Sequence, residues 1–173
     1  MTVTEFKPVD ELPDAFLDAA QQAGVAPRVA DYNARGYGGS FVQFNTRNGE
    51  RCSTRVAYLE PAKGRANLQL VTGVLVTRLI LDKGRATGVL ARLDGRDVEF
   101  KARREIILSG GAFNSPQLLE LSGIGRSDIL SAQSIPVLHE LPMVGENLSE
   151  HVYSPLQYEV NPGVSWNRAL NGG

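Results

Sequence analysis

Apolar and polar residues follow one another along residues 67–108 in the manner of consecutive strands. Residues 74–81 are long and mostly β-branched, residues 87–93 alternate, and residues 98–102 place an apolar side chain at every second position. Between them stand the turn sequences Asp82, Lys83, Gly84, Arg85 and Asp94, Gly95. The pattern predicts a three-stranded antiparallel meander with two distinct faces. Short apolar runs flank it at 68–71 and 106–109, and continuous apolar character predicts strands buried on both faces. The expected arrangement is a larger parallel sheet with the meander inserted between two of its strands.

Elsewhere the period changes. Leu12, Phe16, Ala19, Ala20 and Ala23 recur at helical spacing, with Asp10 or Asp14 to cap and Gly24 to terminate, so one helix is predicted within 8–24. Residues 31–58, with glycines at 36, 38, 39 and 49, predict a long loop carrying one short strand near 41–45; a functional loop and a plain surface connection fit this equally. A short helix capped by Ser53 or Thr54 should end near Pro61. From 104 to 125 a strand leads through Ser109, Gly110, Gly111 and Ala112 to a helix. Ser115 is its expected N-cap, Pro116 its first residue and Gly123 its stop. Strand, small-residue turn and helix start are the parts of a phosphate-binding crevice, and the same order also packs helices that bind nothing. A helical turn at 128–130, an extended run at 135–138, a turn at 142–148 and a strand at 152–160 follow. Residues 170–173 close no recognisable element, which predicts an incomplete domain.

Composition narrows the function. A chain of 173 residues, 42% hydrophobic, suffices for one domain with a core. Its formal charge of -1 and lack of a basic run argue against nucleic acid. A single cysteine, Cys52, excludes a disulfide framework and a cysteine-built metal site, and points to a reducing, cytoplasmic setting. Cys52 itself reads as a packed, inert thiol. The first residues lack a basic stretch followed by an apolar core, so no secretory signal is expected, and no apolar run is long enough for a membrane helix. His139 and His151 have no partners at ligand spacing and read as surface residues rather than metal ligands.

Several motifs in one order then carry a resemblance. Residues 111–125, GAFNSPQLLELSGIG, resemble the second signature of the glucose-methanol-choline (GMC) oxidoreductases. Asp31, Tyr32 and Asn33 with Gly36 to Gly39, then residues 48–54, are similar to the family's D-x-N…G and G-x-R-x-S blocks. Residues 65–68, Val76 and 86–89 resemble its adenine-side strand and meander, and 144–151 its VGxNLxDH block. Met143 replaces the usual glycine and Glu150 the usual aspartate.

The resemblance implies an α/β fold with α+β character, part of an FAD/NAD(P)-binding Rossmann-like domain with an inserted three-stranded meander. Residues 1–151 would be a partial FAD-binding domain lacking the N-terminal βαβ unit, and 152–173 the start of a substrate-binding domain. It implies FAD as cofactor and a small-molecule alcohol or choline-like substrate, oxidised at its CH–OH group with hydride passing to the flavin N5. Val76 would meet the adenine through its backbone, with Gly110, Gly111 and Ala112 as a close-approach turn. No G-x-G-x-x-G accompanies these blocks, and neither histidine matches the family's catalytic histidine, so no catalytic residue or metal ligand is assigned. The sequence therefore predicts a fragment of such an oxidoreductase, inclined to self-associate through unpaired strands. The alternative is a non-catalytic remnant or partner-binding module without flavin.

Overall fold

The computed structural model describes residues 1–5, 8, 10–31, 33, 37–155 and 157, which fall into two compact units, one from residues up to 70 with 155 and 157, the other 71–154. The first unit holds β1 (Thr4–Glu5), α1 (Leu12–Gln22), β2 (Gln43–Phe44), β3 (Thr46–Arg47), β4 (Glu50–Arg51), and a π-helical turn (Arg55–Leu59) running into α2 (Glu60–Ala62).

Helix α1 ends as its glycine requires. Gly24 adopts φ +69°, and the amides of Gly24 and Val25 reach back to the carbonyls of Gln21 and Ala20, satisfying the last turn. At the other end Asp10 accepts the Leu12 amide at 3.0 Å. Arg28 holds the following segment against α1 through Asp14 and Asp18, and stacks over the Phe41 ring at 5.7 Å. The single short strand expected in the loop at 31–58 is instead three. β2 pairs antiparallel with β1, and β3 forms a hairpin with β4 around Asn48 (φ 54°) and Gly49 (φ 78°).

The second unit is built on the predicted meander. β5 (Val74–Asp82), β6 (Arg85–Leu93) and β7 (Arg96–Lys101) form an antiparallel sheet in that order. Both connections are two-residue turns with positive φ at each central residue, Lys83 and Gly84, Asp94 and Gly95, which is the twist that flanking strands favour. Such turns are closed by hydrogen-bonded pairs, here Asp82 with Arg85 and Leu93 with Arg96. Arg85 must then turn its backbone groups toward β5, and Leu93 toward β7. In a regular strand, residues of like parity face the same edge. The two demands conflict, and β6 resolves them with one extra residue, Thr87, between the pairs Leu81–Ala86 and Ile80–Gly88. A matching extra residue, Thr77, sits in β5 between Val76–Ala91 and Arg78–Leu90.

After the sheet come α3 (Gly111–Leu121), β8 (Ile124–Gly125), α4 (Ser127–Ala132) and β9 (His139–Glu140), with β8 and β9 parallel. Leu79, Ala91, Leu130 and Val144 are the buried apolar residues of this unit. Two expectations need correction. Residues 68–71 and 106–109 form no strand among the described residues, and Leu70 (53% exposed) and Ile107 (77%) are far from buried. An apolar run becomes a buried strand only where a neighbouring ladder takes its amides and carbonyls, and none of the described strands does so. Helix α3 begins at Gly111, so Pro116 lies inside it and Ser115 is not its N-cap. Of the strand expected at 152–160, residues 156 and 158–160 lie outside the described residues, and 152–155 carry none.

Candidate functional site

The bulge at Thr77 decides what the edge of the sheet presents. Leu93 faces β7, so alternation turns Ala91 and Val89 toward β7 as well. Val76 lies opposite Ala91, and Leu79 opposite Val89. Both therefore direct their amide and carbonyl away from β6, onto the free edge of β5. Without the extra residue these positions, of unlike parity, would face opposite edges. Leu79 uses its outward amide to donate to the Ser122 Oγ at 2.8 Å, and Ser122, 3% exposed, donates in turn to the Leu118 carbonyl at 2.6 Å. Thr77 Oγ1 donates to the Leu90 carbonyl at 3.3 Å, bracing the bulge itself.

Facing that edge is the start of α3. Gly110 is its N-cap, and its amide donates to Ser115 Oγ at 3.0 Å. Ser115 thus serves the cap from inside the helix rather than from before it. Gly111 follows at φ +90°, a conformation that L side chains rarely adopt, and a Cβ placed on it would meet nothing within 4 Å. Between β5 and α3 lies a cleft of about 470 Å³, lined by Val76, residues 106–110, Asn114, Ser115 and Leu118 among others.

The four residues singled out from sequence are only partly brought together. Val76 and Gly110 line this cleft. Gly111 turns the chain beside it, whereas Ala112 lines a second cleft of about 720 Å³ between α3 and residues 143–148. The wall of that second cleft is held by Arg126, whose guanidinium takes both Asp128 carboxylate oxygens at 2.9 and 2.7 Å and Glu146 Oε1 at 2.9 Å. The bond to Arg126 holds the Asp128 carboxyl down to about 2.

Cys52 is buried, with the Thr2 amide 3.5 Å from its Sγ. That amide lowers the thiol's pKa, burial opposes it, and the charges of Arg47 and the N-terminus add to the lowering. His139 and His151 are exposed. Among the described residues no group of three or more His, Cys, Asp or Glu could hold a metal ion, and no helix is long and apolar enough to cross a membrane. Sequence reasoning missed Ser122 and the bulges. A parity count between the two turns would have exposed the one in β6. Nothing local marks the one in β5 or the partner of Ser122.

An outward strand edge at Val76 and a side-chain-free approach at Gly110 and Gly111 suit the adenosine part of FAD, whereas no G-x-G-x-x-G is present to cradle the pyrophosphate.

Comparison with known proteins bears on this arrangement. Residues 1–153 match the family described as GMC oxidoreductase. The chain is 42% identical over 170 residues to an oxygen-dependent choline dehydrogenase of Pseudomonas putida, covering 91% of this chain and 30% of that protein. Among solved structures it is similar to pyridoxine 4-oxidase from Mesorbium loti, with TM-score 0.68 and 30% identity over 81% of this chain and 28% of the oxidase. It is also similar to an FAD-dependent oxidoreductase from Chaetomium thermophilum, with TM-score 0.51 and 28% identity over 53% of this chain and 16% of that one. The chain thus spans under a third of the length of the relatives it matches.

Proposed function

Since this chain belongs to the GMC oxidoreductase family, we propose that it forms the adenosine-side wall of the FAD site in a flavin-dependent oxidoreductase acting on the CH–OH group of an alcohol, choline-like in its donors. FAD, when bound, supplies the two-electron acceptor for that oxidation. The observation that carries the reading is the convergence of the outward backbone of Val76 and the bare Gly110 on one cleft. An extended strand edge offers one donor and one acceptor to a purine edge without needing a particular side chain. Gly111 turns the chain into the helix start at a positive φ, and Ala112, lining the neighbouring cleft, stands beside this wall rather than in it. Residues 1–151 then act as part of a flavin-binding domain, and 152–173 open the substrate-binding domain. A cytoplasmic location accords with the single reduced cysteine.

A second reading, a partner-binding module without flavin, draws on the exposure of Ile107 and Leu70 in segments that form no strand. Purifying the 173-residue chain in the presence of FAD and recording its visible spectrum separates them. A flavin band that survives gel filtration supports the first reading; no retained flavin even at high FAD defeats it for this chain.

A further inference from the structure

We infer that Ser122 is a positioning residue for this cleft, setting the distance between the strand edge that carries Val76 and the helix start that carries Gly110. The inference rests on the adenosine-side reading for its purpose, and on geometry alone for its mechanism.

The two walls of the cleft belong to different elements, β5 and α3, which pack on each other. Apolar packing is non-directional: leucines on α3 such as Leu118 and Leu121, which line the cleft, can slide along a strand edge at small cost. A hydrogen bond from a buried backbone amide cannot slide, because losing it strands a polar group away from water. Ser122 Oγ makes that bond with Leu79 at 2.8 Å, and its own hydroxyl proton is committed to Leu118, one turn back in α3. The oxygen is thus oriented as an acceptor and ties the C-terminal end of α3 to one residue of β5.

From Leu79 the constraint passes to Val76 through Thr77. Leu79 and Val76 share the outward orientation only while the extra residue stays at Thr77, and if the bulge slipped toward the hairpin turn, Leu79 would face β6 instead. Ser122 therefore holds the bulge in the register that turns Val76 into the cleft. Gly123, next along the chain, locks Ser122 in turn. Its φ of +81° ends the helix, and its carbonyl accepts the amides of Leu138 and His139 at 2.8 and 3.0 Å.

The test compares wild type, Ser122→Ala and, as a control for lost stability, Leu130→Ala, each as the full chain. Amide hydrogen exchange is read at Leu79 and at Arg78, which follows the bulge and faces β6 opposite Leu90, and AMP, the probe for the adenosine site, is titrated separately. Ser122→Ala should speed exchange at Leu79 and at Arg78 about tenfold and weaken AMP about tenfold. Leu130→Ala should lower the melting temperature while leaving Arg78 exchange and AMP affinity within about twofold of wild type. Ser122→Cys, close in volume but a much weaker acceptor, replaces the Ala variant should that one not fold. Unchanged Arg78 exchange in the Ser122 variant overturns the inference, as does an equal change in Leu130→Ala. A wild-type chain that takes up no AMP defeats the adenosine-side reading instead, and Arg78 exchange still decides the role of Ser122.

Discussion

Replacing Gly123 by alanine should be among the most damaging single-methyl additions in this chain. Gly123 sits at φ +81°, where a β-carbon costs about 1–2 kcal/mol. An added Cβ would also lie 2.5 Å from the Pro136 carbonyl oxygen and 2.9 Å from Leu138 Cγ. The first contact is with backbone, which cannot swing aside as a flexible side chain can, so β9 must move away from β8, which strains the bonds from Leu138 and His139 to the Gly123 carbonyl. Overpacking of that kind adds about 1–3 kcal/mol, for a total of about 2–5 kcal/mol. In a chain of this size that lowers the melting temperature by roughly 5–15 °C. Gly73 supplies the comparison, since its φ is +70° but a Cβ there would meet nothing within 4 Å. Gly73→Ala should cost only the backbone share, about 1 kcal/mol. Urea unfolding followed by circular dichroism measures both variants. If Gly123→Ala proves no worse than Gly73→Ala, the close approach of residues 136–138 to the helix stop is wrong.

The link between Arg126 and Asp128 predicts a pH window. The folded pKa of Asp128, about 2, lies below the unfolded value of about 3.9, so its contribution to stability is complete above about pH 5, declines as pH falls from there, and is gone only below the folded value. The difference in melting temperature between wild type and Asp128→Asn should be constant from about pH 7 to 5 and mostly lost by about pH 2; a difference at pH 2 as large as that at pH 6 would refute the assignment. Self-association should follow from Ile107, an exposed apolar side chain in a segment that joins no described strand. Light scattering at increasing concentration should detect oligomers of wild type and fewer of Ile107→Lys, and a wild type that stays monomeric throughout would remove the claim.

What could be read in advance follows how local the physics was. The turns at 83–84 and 94–95 announce themselves because only a few residue types tolerate two successive positive φ values. The three strands they join follow from period-2 patterning. The stop of α3 at Ser122 and Gly123 is likewise written in two adjacent residues. The start of that helix misled, because Ser115 and Pro116 mimic a cap and first residue so well. The chain instead begins the helix at Gly111 and uses the Ser115 hydroxyl to hold the Gly110 amide. The runs at 68–71 and 106–109 misled differently. Their composition suits buried strands, but burial depends on a partner, which no run of four residues encodes. Of the candidate site, the identities of Val76, Gly110 and Gly111 came from motif resemblance, and the cleft between them came from the fold.

By itself, then, the sequence determined the meander, its turns, the extra residue that β6 must contain, and the family whose motifs the chain carries. Each of these depends on residues close together along the chain or on a count between two turns. Only the tertiary structure decided that Thr77 is the bulge of β5, that Val76 consequently faces the open edge, and that Ser122 rather than a backbone ladder takes the Leu79 amide. A buried amide must find some acceptor, and which one it finds depends on how a helix comes to rest on a strand some 40 residues away in sequence.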